Sequence, residues 1–335
     1  MASIAAPCYD HSMTLAEHIR SGDRASLARA ITLIESTRDD HQREAQALLT
    51  ELLPHTGNSI RIGITGAPGV GKSTFIEVFG LHVIAQGHKV AVLAIDPSST
   101  RTGGSILGDK TRMALLAQNE NAYIRPSPTG GALGGVARRT REAMLLTEAA
   151  GYDVVIVETV GVGQSETEIA DMVDMFALLL LPGSGDELQG IKKGIVELAD
   201  LIIVNKADGD LALQAKRVRT DYAAALRMLH PPTVHWTPKA VTCSAINNQG
   251  IADIWQSAQE FAKAMQDSGE LPRHRAKQAK AWMWKEIRET LILRFKHHEG
   301  IAGHLCALED AVQQGRKTPT EAAHMLLGMF TNPAH

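Results

Sequence analysis

The chain has 335 residues, 44% hydrophobic and 21% charged, enough for one large buried core or for one core with helical appendages. Its 34 Lys+Arg against 37 Asp+Glu leave a net charge of -3, so no global field draws it to nucleic acid or to anionic lipid. The three cysteines, Cys8, Cys243 and Cys306, form no C-x-x-C pair and read as structural thiols in a reducing compartment, and the most apolar run, Phe176 to Leu181, is far below bilayer length. The opening MASIAAPCYDHS lacks both the apolar core of a secretory signal and the arginine of a transit peptide. A cytoplasmic protein without nucleic-acid or membrane partners is expected.

From Thr14 to Leu53 the pattern is helical, with Leu27, Ala30, Ile31 and Ile34 on one face and Ser21-Gly22-Asp23 as turn and cap; residues 1–57 are taken as an N-terminal helical extension. The texture then changes to apolar strand runs: Ile60 to Thr65, Val90 to Asp96, Ala122 to Arg125, Val154 to Thr159, Phe176 to Leu181, Leu201 to Asn205 and Ala240 to Ser244. Several are Val/Ile/Leu-rich on both faces, as strands of a parallel sheet covered by helices on each side must be. Residues 58–268 are therefore expected to be an α/β domain. After Gly250 the strand runs cease. Ile251 to Met265, Arg273 to His298 and Gly303 to Met329 read as helices, with breaks near Gly269, Gly300 and Gly315 to Pro319, and residues 269–335 form a C-terminal helical arm. Trp284, Ile287, Leu291 and Phe295 repeat along it at spacings of three and four, a stripe that serves either an oligomer contact or intramolecular packing. Arg273, Arg275, Lys277, Lys280, Lys285 and Arg288 make the same helix basic, a solvated or dimer-flanking face rather than a nucleic-acid site.

The run Ile60 to Thr65 leads directly into Gly66-Ala67-Pro68-Gly69-Val70-Gly71-Lys72-Ser73-Thr74, which completes the GxxxxGK[ST] phosphate-binding pattern between a strand and a helix. Backbone N–H groups of Gly69 through Thr74 can wrap phosphates, Lys72 can reach their outer oxygens, and the Ser73 hydroxyl can ligate Mg²⁺. The chain is thus expected to bind a nucleoside triphosphate. Farther on, Asn205-Lys206-Ala207-Asp208 ends another strand with the NKxD spacing that reads guanine. A carboxylate at Asp208 accepts from guanine N1–H and the 2-amino group, whereas adenine lacks that amino group, a discrimination of roughly 10⁴-fold. Ser244, Ala245 and Ile246, after the last strand run, fit a backbone-rich loop beside the base. GTP and GDP are expected over ATP.

Between loop and base reader lie candidate sensors of the γ-phosphate. Glu158-Thr159-Val160-Gly161 stands at a strand end, where its carboxylate would hold Mg²⁺ and its glycine N–H would reach phosphate. Asp96, after Val90 to Ile95, and Asp109, after the flexible Thr102-Gly103-Gly104-Ser105, are the other acidic candidates. The expected metal set is Ser73, Asp96, Asp109 and Glu158, all hard oxygens suited to Mg²⁺.

The runs GITGAPGVGKST, AVLAIDPSSTRTGGSILGDKTRM, RPSPTGGALGG, VETVGVGQSE, PGSGDELQGIKKGIVELAD and NKAD together resemble the MeaB/ArgK/MMAA family, over roughly Thr14 to Ala264, with a similar basic, Trp-containing helix following. The resemblance implies a P-loop core with a mostly parallel sheet, an N-terminal helical extension and a C-terminal arm used for homodimerisation. It also implies a GTPase that serves as chaperone to an adenosylcobalamin-dependent acyl-CoA mutase such as methylmalonyl-CoA mutase, gating cofactor loading and protecting or reactivating it. Adenosylcobalamin then enters only through the partner. By position, Asp96 and Asp109 fall in a first switch, Glu158 in a second, and Pro182 to Lys193 in a further mobile segment.

Lys72 and Glu158 are expected to serve hydrolysis, which also needs a group to orient the attacking water. Where many GTPases carry glutamine after D-x-x-G this chain has Val162, so Gln164, Lys192 and Arg101 are the candidates, and hydrolysis is expected to be slow until a partner orders the switches. Two other classes share parts of this pattern. A nickel-enzyme metallochaperone would carry a Cys/His cluster, and the only concentration of such ligands in the helical tail is His297, His298, His304 and Cys306, at spacings that match no familiar metal motif. A transport-associated ATPase or kinase is disfavoured by NKAD.

Overall fold

The computed structural model describes residues 13–96, 113–128, 133–159, 165–183, 193–228 and 233–331. The chain divides into two units, Met1–Arg275 and Ala276–His335.

In the first unit a 7-stranded sheet has the order β3-β2-β4-β1-β5-β6-β7, every neighbouring pair parallel. The strands are β1 (Ile60–Gly66), β2 (Val90–Asp96), β3 (Ala122–Pro128), β4 (Val154–Thr159), β5 (Met175–Leu180), β6 (Leu201–Val204) and β7 (Lys239–Thr242). All seven runs read from the sequence are strands. β4, β5 and β6 are buried throughout, which is why Val154 to Val157 of β4 and the whole of β5 and β6 are apolar without alternation. Because β1 sits between β4 and β5, the crossovers diverge on either side of it, and its C-terminal end opens into the crevice where α/β sheets hold ligands.

Helices cover both faces. On one, α4 (Lys72–Ala85) and α10 (Ile251–Asp267) pack together, placing Phe75, Phe79, Trp255 and Phe261 with Ile62, Ile64 and Val92 in a single core. Trp255 stands edge-on to Phe79 at 6.0 Å between ring centroids. α5 (Ala114–Gln118) adds Leu116 to this layer. Against the sheet elsewhere lie α6 (Leu133–Ala149), α7 (Ser165–Ala170) and α8 (Lys193–Leu198), while α9 (Ala212–Met228) packs on β6 and β7. The N-terminal helices α1 (Leu15–Arg20), α2 (Arg24–Glu35) and α3 (Asp39–Leu52) pack on α6. α1 begins at a reciprocal capping box between Thr14 and Glu17, and Asp23 caps α2, satisfying N–H groups that a helix start otherwise leaves open. Leu27, Ala30, Ile31 and Ile34 are the buried stripe of α2.

A run read as apolar conceals a charge. Arg61, in β1, is buried with Glu148 at the end of α6: its Nε donates at 2.7 Å and its Nη2 at 2.9 Å to the two carboxylate oxygens. Ser59 Oγ and the Gly57 N–H donate to the same carboxylate. Nearby, Asp174 accepts the Arg61 N–H at 2.8 Å and two bonds from Arg275, whose guanidinium also donates to the carbonyls of Gly57 and Ser59, both at 2.6 Å.

Asp200, just before β6, is a third buried carboxyl on this edge. Burial, with some help from Asp174, pushes it up to about 7, and the Phe176 N–H donating at 2.8 Å opposes the shift. A carboxyl raised above its unfolded value of about 3.9 holds a proton in the folded chain that the unfolded chain releases. Stability contributed by this group is therefore present at low pH and lost as pH rises from about 4 to about 7. Asp200→Asn keeps an acceptor for Phe176 and removes the ionisation. Urea titrations at pH 8 are expected to show the variant more stable than the parent, with the advantage shrinking toward pH 4; an unchanged pH slope would refute the assignment.

The second unit contains the remainder of α11 (Glu270–Lys296) with α12 (Glu299–Gln313) and α13 (Pro319–Thr331). The expected break at Gly315 to Pro319 separates α12 from α13. Ile301, Leu308, Ala322 and Leu326 form a small core there, and Phe295 joins it against Phe330 at 5.4 Å. The stripe expected along α11 thus divides: Phe295 packs within the unit, whereas Trp284, Ile287 and Leu291 are 51%, 37% and 51% exposed.

Candidate functional site

The phosphate loop leaves β1 at Gly66 and enters α4 at Lys72, with Gly71 as its N-cap in the left-handed region at φ 90°. Two glycines are fixed by close approach. A Cβ at Gly66 would stand 2.5 Å from the Leu179 carbonyl oxygen of β5, and one at Gly71 would stand 2.9 Å from Asn205 Nδ2. At Gly71 the added methyl would meet both a strained φ and the Asn205 side chain. Gly71→Ala is expected to weaken GDP binding by at least tenfold, roughly the effect of 1.4 kcal/mol, with little loss of secondary structure, as checked by calorimetric titration and circular dichroism.

Lys72 is buried, and its ammonium donates to the carbonyls of Gly66 at 2.7 Å and Ala67 at 3.3 Å. An ammonium has three N–H donors, so one is left for a ligand oxygen. Burial pulls its pKa below the usual lysine range, and Glu158 and Glu166 oppose that pull. Ser73 Oγ donates to Glu158 Oε1 at 3.4 Å, joining the first turn of α4 to the end of β4. The hydroxyls of Thr65 and Thr159 meet at 2.8 Å and tie the ends of these two strands together. Around the loop, Ala67 is half-buried, Val70 is buried, and Pro68, Gly69 and Thr74 are exposed.

The NKAD segment is bonded directly to that loop. Asn205 Nδ2 donates to the Val70 carbonyl at 3.0 Å, while its Oδ1 accepts the Ala245 N–H at 3.2 Å and the Cys243 thiol at 3.4 Å. Lys206, at the positive φ of 57°, sends its Nζ to the Gly69 carbonyl at 2.9 Å. Asn205 thus links three segments that are far apart in sequence. Asp208 receives Asn247 Nδ2 on its Oδ2 at 3.3 Å. Ser244 pairs with Gln249 across a tight turn, leaving Ile246 77% exposed at its tip. Burial pushes the Cys243 thiol up to about 12, which fits a structural cysteine.

Gly66 to Thr74, Glu158, Asn205, Lys206, Asp208, Ser244, Ala245 and Ile246 therefore lie at the C-terminal ends of β1, β4, β6 and β7 on one side of a parallel sheet. Asp96 ends β2 on the same side, paired with Pro128 of β3. Asp109, Gln164, Lys192 and Arg101 lie outside the described residues. Two contributors had escaped sequence reading. Glu166, in the first turn of α7, is buried and acts on the charge of Lys72. Asn247 reaches Asp208 only because the turn after β7 folds back, and the sole signal for it is the turn-forming Asn247-Asn248-Gln249-Gly250. Among the described residues no group of three or more His, Cys, Asp or Glu could hold a metal ion; His298 lies edge-on to Phe330, and His304 Nδ1 contacts the Gly300 carbonyl.

The model of a family described as methylmalonyl-CoA mutase-associated GTPase MeaB matches residues 27–300. A probable GTPase of Mycobacterium tuberculosis is 52% identical over 98% of both chains. GTPase ArgK of Escherichia coli is 51% identical over 91% of this chain and 90% of its own. The mitochondrial methylmalonic aciduria type A homolog of Mus musculus is 49% identical over 92% of this chain and 77% of its own. A crystal structure of a LAO/AO transport system kinase superposes with a TM-score of 0.77 at 41% identity, covering 95% of this chain and 97% of that one. The chain belongs to the MeaB family of GTPases.

Proposed function

We propose that this GTPase binds GTP and GDP through Gly66 to Thr74 and Asn205 to Asp208, and that its nucleotide cycle controls an adenosylcobalamin-dependent acyl-CoA mutase. The observation that carries the nucleotide part is the pair of bonds from Asn205 and Lys206 to the Val70 and Gly69 carbonyls, which fixes the base reader against the phosphate loop. The mutase part rests on the family's association with methylmalonyl-CoA mutase.

Mg²⁺ fits the donors present, since the Ser73 hydroxyl and the Glu158 carboxylate adjoin at the mouth of β1, with Asp96 and Asp109 as the further hard-oxygen candidates. When bound, the ion neutralises phosphate charge. Lys72 supplies the protein's own cation at the phosphates, and the loop amides orient them for in-line attack by water. Gln164, Lys192 and Arg101 remain the candidates for positioning that water. Slow turnover alone and faster turnover with the mutase follow from this division. The exposed row Trp284, Ile287 and Leu291 supports self-association through the C-terminal helices, as in the homodimer the family resemblance implies.

Two measurements test the reading. Fluorescent GDP is expected to be displaced by GTP and not by ATP, and equal competition would overturn guanine recognition. Mixing the chain with methylmalonyl-, isobutyryl-, 2-hydroxyisobutyryl- and ethylmalonyl-CoA mutases is expected to give copurification and faster GTP hydrolysis with one of them; no effect with any removes the chaperone role and leaves the GTPase intact.

A further inference from the structure

We propose that Asn247 is a positioning residue for guanine recognition, holding the Asp208 carboxylate in the plane that two-point contact with the base requires. The inference rests on the reading of Asp208 as the base-binding carboxylate.

Asp208 lies at the end of a strand-following loop, partly open to solvent, and a carboxylate there turns freely unless something holds it. Asn247 Nδ2 donates to its Oδ2 at 3.3 Å. Its Oδ1 has no hydrogen-bond partner among the described residues, so one oxygen is tethered and the other is open to a ligand. Each carboxylate oxygen accepts more than one hydrogen bond, so the tether leaves both able to receive a base N–H.

Asn247 is itself fixed. Its backbone N–H donates to Ser244 Oγ at 3.3 Å, the N–H of Asn248 reaches the Ala245 carbonyl at 3.3 Å, and Ser244 and Gln249 exchange two backbone bonds of 3.0 Å. Asn248 takes the left-handed φ of 53°, and Gly250, at φ 73°, closes the turn so tightly that a Cβ would meet the Thr242 carbonyl oxygen at 2.5 Å. The Ser244 hydroxyl is thus engaged within its own turn. The tether to Asp208 comes from the exposed amide three residues later.

A fixed carboxylate matters most when two donors must be met at once. Guanine presents N1–H and the 2-amino group, whereas hypoxanthine presents N1–H alone, and a freely turning carboxylate can satisfy one donor in many orientations but two in few. Losing the tether therefore penalises guanine more than hypoxanthine.

The test titrates GDP, inosine diphosphate and xanthosine diphosphate into the full chain and into Asn247→Ala, Asn247→Asp and Asp208→Asn. Asn247→Ala is expected to weaken GDP about fivefold and inosine diphosphate less, lowering the ratio of the two affinities, with an unchanged melting temperature of the nucleotide-free chain. Asn247→Asp, which sets a like charge beside Asp208, is expected to lose at least as much GDP affinity. Asp208→Asn is expected to lose GDP and gain xanthosine diphosphate. If Asp208→Asn behaves so while Asn247→Ala leaves GDP affinity and the affinity ratio unchanged, the positioning role is wrong and the base assignment stands. If Asp208→Asn leaves GDP binding intact, the base assignment fails and the positioning role with it.

Discussion

Lys72→Ala is expected to lower GTP hydrolysis by about 10²–10³-fold, the loss typical of removing one preorganised charge-stabilising donor. The side chain has two tasks in one position. Its bonds to the Gly66 and Ala67 carbonyls hold the first residues of the loop in place, and its remaining N–H is the buried positive charge available to a phosphate. Alanine removes both and leaves two carbonyls without their donor. Lys72→Arg is expected to rescue little, because a planar guanidinium does not reproduce a compact ammonium seated between adjacent carbonyls. Single-turnover phosphate release with a parallel GDP titration separates the tasks: loss of binding reports the loop, and loss of rate at saturating nucleotide reports charge at the reacting group. Turnover equal to that of the parent would remove Lys72 from the mechanism.

Glu148→Ala is expected to have the largest effect on stability, about 3–5 kcal/mol, because it strands the Arg61 guanidinium inside the fold. The side chains of this pair are only 5% and 1% exposed. Burial alone would raise the Glu148 carboxyl, but the bonds and charge of Arg61 and the bond from Ser59 outweigh it and hold the group below its usual range. Its contribution is therefore present above the unfolded value, about 4.3, and lost as pH falls through the lower folded value. Replacing both partners together, Arg61→Met with Glu148→Leu, is expected to lie closer to the parent than the single variant, since no buried charge is left unpaired and the exposed Gly57 can turn its N–H to water; the buried Ser59 hydroxyl, which loses its acceptor, keeps the double variant below the parent. Thermal denaturation of the single and double variants checks this; equal losses in both would show that the pair's geometry, and not stranded charge, governs the edge.

The sheet was legible in the sequence because strands buried on both faces must be apolar throughout, as Val154 to Val157 and Leu201 to Val204 are. The phosphate loop and NKAD were legible because their chemistry is local, carried by adjacent residues. Arg61 was not. Its partner Glu148 is 87 residues away, and nothing local distinguishes a charge paired in the core from one at the surface. Asn247 is a similar case: its spacing from Asp208 is 39 residues, and the bond depends on how the turn after β7 folds. β2 and β4 have the bounds read from the sequence, whereas β6 and β7 end a residue or two early, so that Asn205 and Ser244 stand just beyond them. Those positions free their side chains and amides for the site.

Arg275 has a consequence for the birth of the molecule. Its carbonyl partners, Gly57 and Ser59, precede it by 218 and 216 residues, and they sit where β1 begins. A chain emerging N-terminus first makes that strand and its phosphate loop long before the residue that fastens the strand's near end. Contacts of such separation carry a large loop-closure cost and slow the search. The first unit therefore completes its support of β1 only after Arg275 has left the ribosome, and a product ending earlier carries the whole of GxxxxGK[ST] on a strand whose start is held by Glu148 and Asp174 but still lacks the Arg275 clamp.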